Sequence, residues 1–240
     1  SGIGSKLVEI FAKHNTSLFL VARRINKLEE LKRKLAQFDS KIFIYQCDVS
    51  NKSQVADTFA QIKKETPFID IAILNAGVGH NMNVENFDSN LAEEIFSVNV
   101  LGMIYWIEQL LPDYFENKNG ILAGVSSLAD NRGYSGSGFY CASKAAATIY
   151  LDGLRVELKN YGVKVITIKP GFVKTPMTDK NKFKMPFLMT VEKAGKIIFN
   201  GIQKEKSVIQ FPLPTVIGSK LAGALPTFIY ERFASKIKTN

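Results

Sequence analysis

Short apolar runs alternate with amphipathic helical segments along almost the whole chain. Strands are predicted at 18–22, 41–45, 69–74, 120–125, 163–168 and 207–210, with helices at about 3–14, 25–37, 51–64, 90–116, 138–160 and 191–204. Because the strand runs are apolar throughout, both faces of their sheet must be covered, as in parallel sheets flanked by helices. The pattern predicts an α/β fold with a doubly wound, mainly parallel sheet and helices on both faces.

Composition narrows the classes of function. The net charge is +9, but the lysines are spread along the chain and no basic cluster interleaved with aromatics is present. This favours a solvated basic surface that attracts phosphate-bearing ligands, and we expect no nucleic-acid partner. His14 and His80 are the only histidines, which excludes a multi-histidine metal site, so no metal is predicted. Cys47 and Cys141 form no C-x-x-C pair and are expected to be free thiols in a reducing, cytoplasmic compartment.

Polar residues and glycines follow the predicted strands. In open α/β sheets, ligands bind beyond the carboxyl ends of the strands. The residues at those ends are Arg23 and Arg24, Asp48, Asn75-Ala76-Gly77, Ser126-Ser127 and Pro170-Gly171. Ser1-Gly2-Ile3-Gly4 adds a glycine-containing helix start, which suits a pyrophosphate, although a helix-start turn without function is an equal alternative.

Tyr140 and Lys144 lie four residues apart on a predicted helix, hence on one face. Bringing a tyrosine from pKa ~10 to neutrality requires about 4 kcal/mol of preferential phenolate stabilisation. A lysine cation ~5 Å away at an effective dielectric of ~20 supplies about 3 kcal/mol. The pair is therefore expected to lower the tyrosine pKa.

Tyr114 and Lys118 repeat the same spacing but lack its context. Ser127 stands thirteen positions before Tyr140 at a strand end, whereas Leu101 stands thirteen positions before Tyr114. We therefore interpret Tyr114 and Lys118 as helix surface.

Taken together and in order, these motifs resemble the short-chain dehydrogenases/reductases in their common branch of about 250 residues. The resemblance spans roughly residues 1–210 and rests on Ser1-Gly2-Ile3-Gly4, Ala22-Arg23-Arg24, Cys47-Asp48-Val49, Asn75-Ala76-Gly77, Val98-Asn99-Val100, Ser126-Ser127, Tyr140-Cys141-Ala142-Ser143-Lys144 and Pro170-Gly171. It implies a Rossmann-type dinucleotide-binding catalytic domain over 1–210.

The resemblance also implies a catalytic set of four residues. Tyr140 would exchange a proton with the substrate oxygen, and Lys144 would lower the tyrosine pKa and hold the nicotinamide ribose. Ser127 would orient the substrate oxygen, and Asn99 would hold a water of a proton relay. Structural alternatives remain: Asn75 and Asn99 as ties between strand ends, Asp48 or Ser50 as a helix N-cap, and Ser126 as the structural serine of its pair.

The cofactor set implied by the resemblance is larger. Arginine at the end of the second strand suits the 2′-phosphate of NADP, so NADP is favoured over NAD. The pyrophosphate, 2′-phosphate, adenine, ribose and carboxamide would be met by Ser1, Gly2, Ile3, Gly4, Arg23, Arg24, Asp48, Val49, Asn75, Ala76, Gly77, Tyr140, Lys144, Pro170, Gly171, Val173 and Thr175.

The chain departs from the family at its start. Only the last part of the phosphate loop is present, and the strand before it, normally central between 18–22 and 69–74, is missing. We expect an apolar slot there, and we expect the numbering to begin inside a longer natural protein. Leu74 and Asp130 also replace an asparagine and a glycine common in the family. Asp130, Arg132 and Tyr134 lie where they would shape the substrate site.

Two further segments are distinctive. Residues 175–190 occupy the place of the family's mobile lid, with a soft apolar lining from Met177, Phe183, Met185, Phe187 and Met189 that hints at apolar substrates. Residues 211–240 form a C-terminal extension, with Lys236 and Lys238 near its end. Three alternatives stay open for it: packing on the domain, contact with another subunit, or peripheral contact with an anionic membrane.

The leading hypothesis is an oxidoreductase that transfers hydride between NADPH and a carbonyl or secondary alcohol. An NAD-linked alcohol dehydrogenase differs only in cofactor and direction, and a cofactor-binding sensor or scaffold without turnover is the alternative from another class. The resemblance further implies a homodimer or homotetramer through the helices near 90–116 and 138–160. A small carbonyl or alcohol is the expected substrate.

Overall fold

A computed structural model describes residues 1–82, 84–181 and 183–234, except for the side chain of Phe233. The strands are β1 (Leu18–Ala22), β2 (Ile42–Gln46), β3 (Ile71–Leu74), β4 (Ile121–Val125), β5 (Lys164–Pro170) and β6 (Val208–Phe211). The helices are α1 (Gly2–Ala12), α2 (Ile25–Leu35), α3 (Lys52–Glu65), α4 (Asn90–Phe96), α5 (Gly102–Asn117), α6 (Gly138–Glu157), α7 (Val191–Gln203), α8 (Leu213–Ala224) and α9 (Thr227–Ala234).

The strands form two parallel sheets. β1 pairs with β2, and β3, β4, β5 and β6 pair in that order. Within the described part of the chain, no ladder joins β1 to β3. The sheets therefore separate at the place where the sequence predicts a missing central strand.

Helices cover both faces. On one face, Ala194, Ile198 and Ile202 of α7 recur every fourth residue and are fully buried with α1 against β4, β5 and β6. On the other face, α5 and α6 pack on β3, β4 and β5. This periodicity buries one stripe of each helix and confirms the predicted α/β fold with a covered parallel sheet.

The long helix predicted at 90–116 is interrupted by a π-helical segment, Ser97–Leu101, between α4 and α5. Among the described residues, this helical run, 90–117, is the one long and apolar enough to cross a membrane. Its Ile107 and Leu110 are buried in the core between α5, α6 and the sheet. Single-turn π segments insert one extra residue and often occur at functional sites.

Tyr114 is fully buried, so the prediction that it lies on the helix surface is wrong. Its ring packs 5.7 Å from that of Phe68, and Gly120, with φ at +135°, leaves room for it because an added Cβ there would lie 2.6 Å from the ring. Burial raises the pKa of the Tyr114 phenol above its usual range. Lys118 lies just beyond α5, in the left-handed conformation.

The C-terminal extension forms α8 and α9 within the described residues, and both contact the domain. Val216 and Ser219 of α8 are buried, with Ser219 Oγ donating to the Leu128 carbonyl at 2.7 Å. Leu213, Ile217, Leu221 and Phe228 face outward and are exposed. Lys236 and Lys238 lie outside the described residues.

Candidate active site

The structure brings Ser127, Tyr140 and Lys144 together at the carboxyl end of β4. Tyr140 and Lys144 share one face of α6, and the Lys144 ammonium lies 5.7 Å from the centre of the Tyr140 ring. Ser127 follows β4 and its hydroxyl shares a hydrogen bond with the Tyr140 phenol. The Lys144 ammonium also donates to the Val125 carbonyl at 3.0 Å, which anchors it beneath the tyrosine.

Asn99 reaches the same place from the π-helical segment. Its Oδ1 accepts from the Val78 amide at 2.8 Å, and its Nδ2 donates to the Val78 carbonyl at 2.9 Å and to Ser143 Oγ at 3.0 Å. Asn99 therefore ties the segment after β3 to α6, a structural role that differs from the tie between strand ends offered as the alternative. It also lies beside Lys144, since a Cβ added to Gly77 would be 3.3 Å from Asn99 Oδ1 and 3.4 Å from Lys144 Nζ.

The pKa shifts in this cluster are dominated by burial. Burial raises the pKa of Tyr140, and the hydrogen bond with Ser127 only partly opposes it. Burial also lowers the pKa of Lys144 to about 8. Whether Lys144 lowers the tyrosine pKa stays a prediction, because burial penalises the charged form of each group and so raises the pKa of Tyr140 while it lowers that of Lys144. The phenol stays protonated near neutrality, as a proton donor must.

The lowered pKa of Lys144 predicts a stability change with pH. The unfolded chain holds a proton on this lysine up to about pH 10.5, whereas the folded chain loses it near pH 8. Stability therefore rises with pH between about 8 and 10.5, by up to about 3 kcal/mol from this group. In Lys144→Met this contribution should vanish. Urea unfolding from pH 7 to 10 checks it, and equal pH slopes in the two proteins would contradict it.

The start of α1 has the features of a phosphate-binding turn. Gly2 has φ at +56°, in the left-handed region that favours glycine, and an added Cβ would lie 3.2 Å from Thr175. A Cβ added to Gly4 would lie 2.7 Å from Asn75 Nδ2. Side chains at these positions would fill the surface where α1 meets the ends of β3 and β5. The helix start, Asn75 and Thr175 thus converge, and their chemistry fits a dinucleotide pyrophosphate.

Arg23 and Arg24 lie at the end of β1 beside this turn. The Arg23 side chain is half exposed and lies 3.9 Å from the Asp48 carboxylate, a loose pairing. Arg24 donates to Ser1 Oγ at 3.2 Å. Burial acts to raise the pKa of Asp48, but hydrogen bonds from Ser50 and the charge of Arg23 outweigh it and lower that pKa overall. Two cations thus flank the glycine turn where the sequence places a 2′-phosphate.

Several polar residues have structural roles. Ser126 is buried and donates to the Lys144 carbonyl at 2.8 Å, which confirms it as the structural serine of its pair. Asn51, not Asp48 or Ser50, caps α3 by accepting from the Gln54 amide. Asp130 was expected to shape the substrate site, but its side chain is 1% exposed and lies 2.8 Å from the Lys169 ammonium. Its carboxylate therefore joins the β4–α6 loop to β5.

Gly79 is a site residue that sequence reasoning did not identify. A Cβ added there would lie 3.1 Å from the Tyr140 ring. Any side chain at this position would press on the ring of Tyr140. The part of the site that begins with Asn75-Ala76-Gly77 therefore extends two residues further, to Gly79. A second glycine after an N-A-G motif is the signal that could have found it.

The remaining predicted cofactor residues line the same edge. Val49 packs against Gly102, whose added Cβ would lie 2.9 Å from it, and Gly171 lies close to Pro212 and Thr215. Val173 is buried and bridges to Met189, closing the base of the 175–190 segment. Thr175 exchanges hydrogen bonds with Thr178. Ile3 and Ala76 lie at the helix start and after β3, and Lys182 of this segment lies outside the described residues.

The chain is similar to known proteins over most of its length. A model of the short chain dehydrogenase family matches residues 1–185. An uncharacterised oxidoreductase of Myxococcus xanthus is 31% identical over 238 residues, covering 99% of this chain and 94% of that protein. A short-chain dehydrogenase from Sphingobium yanoikuyae in complex with NADPH superposes with a TM-score of 0.83 at 23% identity, covering 99% of this chain and 93% of that one. One from Burkholderia phymatum in complex with NAD gives 0.84 at 19%, covering 100% and 92%.

Proposed function

Because the chain belongs to the short-chain dehydrogenase family, and is therefore an NAD(P)-dependent oxidoreductase of alcohols and carbonyls, we propose that it reduces a ketone or aldehyde with NADPH and that Tyr140 donates the proton. The observation that carries the proposal is the convergence of Ser127, Tyr140 and Lys144 at one strand end, with Asn99 beside them. All three groups that the reaction needs are intact.

The residues have distinct tasks in this proposal. Bound NADPH would supply the hydride to the carbonyl carbon. Ser127 donates a hydrogen bond to the carbonyl oxygen and orients it, and the Tyr140 phenol gives that oxygen its proton, so that a carbonyl becomes an alcohol. Lys144 holds the nicotinamide ribose and, with Asn99, returns a proton to the tyrosine. In the direction of alcohol oxidation, the tyrosine accepts the proton instead.

NADP is proposed as the cofactor because Arg23 is half exposed and only loosely paired with Asp48, so that its guanidinium is available to a 2′-phosphate. The proteins of similar fold include complexes with NADPH and with NAD. Consumption of NADPH and NADH against a panel of ketones and aldehydes tests the proposal. Oxidation of NADH at a higher kcat/KM than NADPH would overturn the cofactor assignment.

The alternative, a cofactor-binding sensor without turnover, makes a different prediction for the same panel. It requires nucleotide binding with no carbonyl-dependent oxidation. The intact Ser127, Tyr140 and Lys144 favour turnover, since a sensor has no use for a proton donor held beside the nicotinamide site.

We further propose that residues 175–190 close over the substrate. Lys174 and Met189 are paired at the base of the segment by a 2.9 Å backbone hydrogen bond, and Phe172 packs edge-on to Phe183 at 5.8 Å. Met177 and Phe187, in contrast, are exposed. A segment whose base is fixed and whose apolar side chains are exposed is suited to cover an apolar substrate.

We also propose a homodimer or homotetramer through α5 and α6. Ile149 and Val156 of α6 are 72% and 76% exposed, seven residues apart on one helical face. Paired with a second copy, they would leave water. Ile149→Glu is expected to reduce the mass measured by light scattering to that of a smaller assembly, and Leu213→Glu, at another exposed apolar site, should not. An unchanged mass in Ile149→Glu would contradict this interface.

A further inference from the structure

We infer that Arg132 is a positioning residue that fastens the C-terminal helix pair α8–α9 to the substrate side of the site. The inference rests on the proposed reduction, because it assigns part of the same site. Arg132 lies on the loop between Ser127 and Tyr140 and is partly buried.

Arg132 binds the end of α8 through two backbone carbonyls. Its Nε donates to the Ala222 carbonyl at 3.1 Å, and its Nη2 donates to the Leu225 carbonyl. The last carbonyls of a helix have no partner within the helix and carry the negative end of its dipole. A planar cationic fork therefore satisfies two such groups at once from separate nitrogens in a fixed geometry, which the single ammonium nitrogen of a lysine does not reproduce.

Helix α9 also contacts the loop that carries Arg132. The Arg132 guanidinium lies 4.9 Å from the centre of the Tyr230 ring, and the Tyr230 hydroxyl donates to the Gly133 carbonyl at 2.5 Å. The loop thus holds both helices, and α9 holds the loop. This reciprocal arrangement fixes two segments that are about 90 residues apart in sequence.

A second set of contacts links α8 to the residues next to the catalytic candidates. Ser219 Oγ accepts from Asn131 Nδ2 at 2.6 Å and donates to the carbonyl of Leu128, which follows Ser127. A Cβ added to Gly171 would lie 3.2 Å from both Pro212 and Thr215. The start of α8 therefore lies against the chain after β5, and its middle lies against the chain after β4. The segments after β4 and after β5 both border the place where the substrate carbonyl must lie, beside Ser127.

These contacts fix a wall of the substrate site and leave the catalytic groups themselves to other supports. Ser127 is held by the end of β4 and by the Ala129 amide, which donates to its Oγ at 3.1 Å. Tyr140 is held by α6. Loss of the Arg132 contacts should consequently change how well a substrate fits, more than how fast a fitted substrate reacts or how well the nucleotide binds.

Arg155 provides a matched control, because it too joins two elements through a backbone carbonyl but lies away from the site. Its Nε donates to the Val165 carbonyl at 2.9 Å and its Nη1 lies 2.6 Å from Asp152. Arg155→Ala should lower the melting temperature without a selective effect on substrate KM.

The experiment compares Arg132→Ala, Arg132→Lys, Tyr230→Phe and Arg155→Ala, with 2-butanone and a bulky aromatic ketone as probes at saturating NADPH. In Arg132→Ala we expect KM for the bulky ketone to rise about tenfold, KM for 2-butanone and kcat to change less than threefold, and the NADPH Kd to change less than twofold. Tyr230→Phe should give a smaller change of the same kind, and Arg132→Lys should restore only part of the KM. Equal effects of Arg132→Ala and Arg155→Ala on both ketones would overturn the inference.

Hydrogen exchange of residues 213–234 separates this inference from the proposed function. Exchange in this segment should increase in Arg132→Ala and not in Arg155→Ala, and unchanged exchange in Arg132→Ala would overturn the inference whatever the activity. If none of the carbonyl compounds tested causes the wild-type protein to oxidise NADPH, the proposed reduction fails. The exchange result alone then decides whether Arg132 holds the helix pair.

Discussion

Replacing Tyr140 by Phe is expected to reduce kcat for carbonyl reduction by about 10²–10⁴-fold, the usual contribution of a positioned general acid. The change removes the oxygen that carries the proton and keeps the ring that lies beside Gly79 and Lys144. Because the hydroxyl makes its hydrogen bond with Ser127, the fold and the nucleotide site should be little affected. NADPH-dependent turnover of a responsive ketone measures kcat, and fluorescence titration measures NADPH affinity.

A second tyrosine gives the control for this prediction. Tyr114→Phe makes the same chemical change at the other Y-x-x-x-K motif, where the ring is fully buried and its hydroxyl makes a long 3.5 Å contact with the Ile121 carbonyl. Its kcat should stay within about twofold of wild type, since this tyrosine lies outside the site. A Tyr140→Phe protein that keeps more than a tenth of the wild-type kcat would contradict the assignment of the proton donor.

Replacing Arg23 by Asp is expected to raise the Kd for NADPH by about 100-fold and to leave that for NADH within about threefold. A charge-assisted hydrogen bond contributes roughly 1.5–3 kcal/mol, and an aspartate adds repulsion toward a phosphate and can hold a ribose hydroxyl instead. Asp48 already lies beside this position, so the variant places a second carboxylate there. Titration of both nucleotides with the wild type and the variant measures the ratio.

Arg33→Asp changes the net charge by the same amount at an exposed position in the last turn of α2. It should weaken NADPH binding only slightly, through the long-range field. If Arg33→Asp and Arg23→Asp weaken NADPH equally, or if Arg23→Asp weakens NADH as much as NADPH, Arg23 does not bind the 2′-phosphate.

The sequence was sufficient to predict the six strands and the helices between them in order, because apolar runs and helical periodicity are local properties, but it predicted neither α8 nor α9. β1 lies at 18–22 as predicted, and β5 begins one residue after its predicted start. Local patterns do not report what packs on a side chain from a distant segment. Tyr114 was therefore placed on the surface, although the ring of Phe68, from a segment 46 positions earlier, packs on it.

Site chemistry was predictable in identity but not in electrostatics. Spacing alone places Tyr140 and Lys144 on one helical face, and a Coulomb estimate between them predicts a lowered tyrosine pKa. In the structure, desolvation raises the pKa of Tyr140 and lowers that of Lys144, an effect that spacing along a helix does not report. Asp130 illustrates the same limit, because its partner Lys169 comes from a strand 39 positions later that no local pattern joins to it.

Transfer of deuterium tests the central claim most directly. The wild-type protein is incubated with a ketone that it reduces and with NADPH dideuterated at C4 of the nicotinamide. Mass spectrometry then measures the deuterium content of the product alcohol. Hydride transfer to the carbonyl carbon predicts one deuterium in each alcohol molecule, for one NADPH oxidised, with the hydroxyl proton drawn from solvent through Tyr140. An alcohol without deuterium, or NADPH that binds and is never oxidised in the presence of any carbonyl on the panel, would contradict the account.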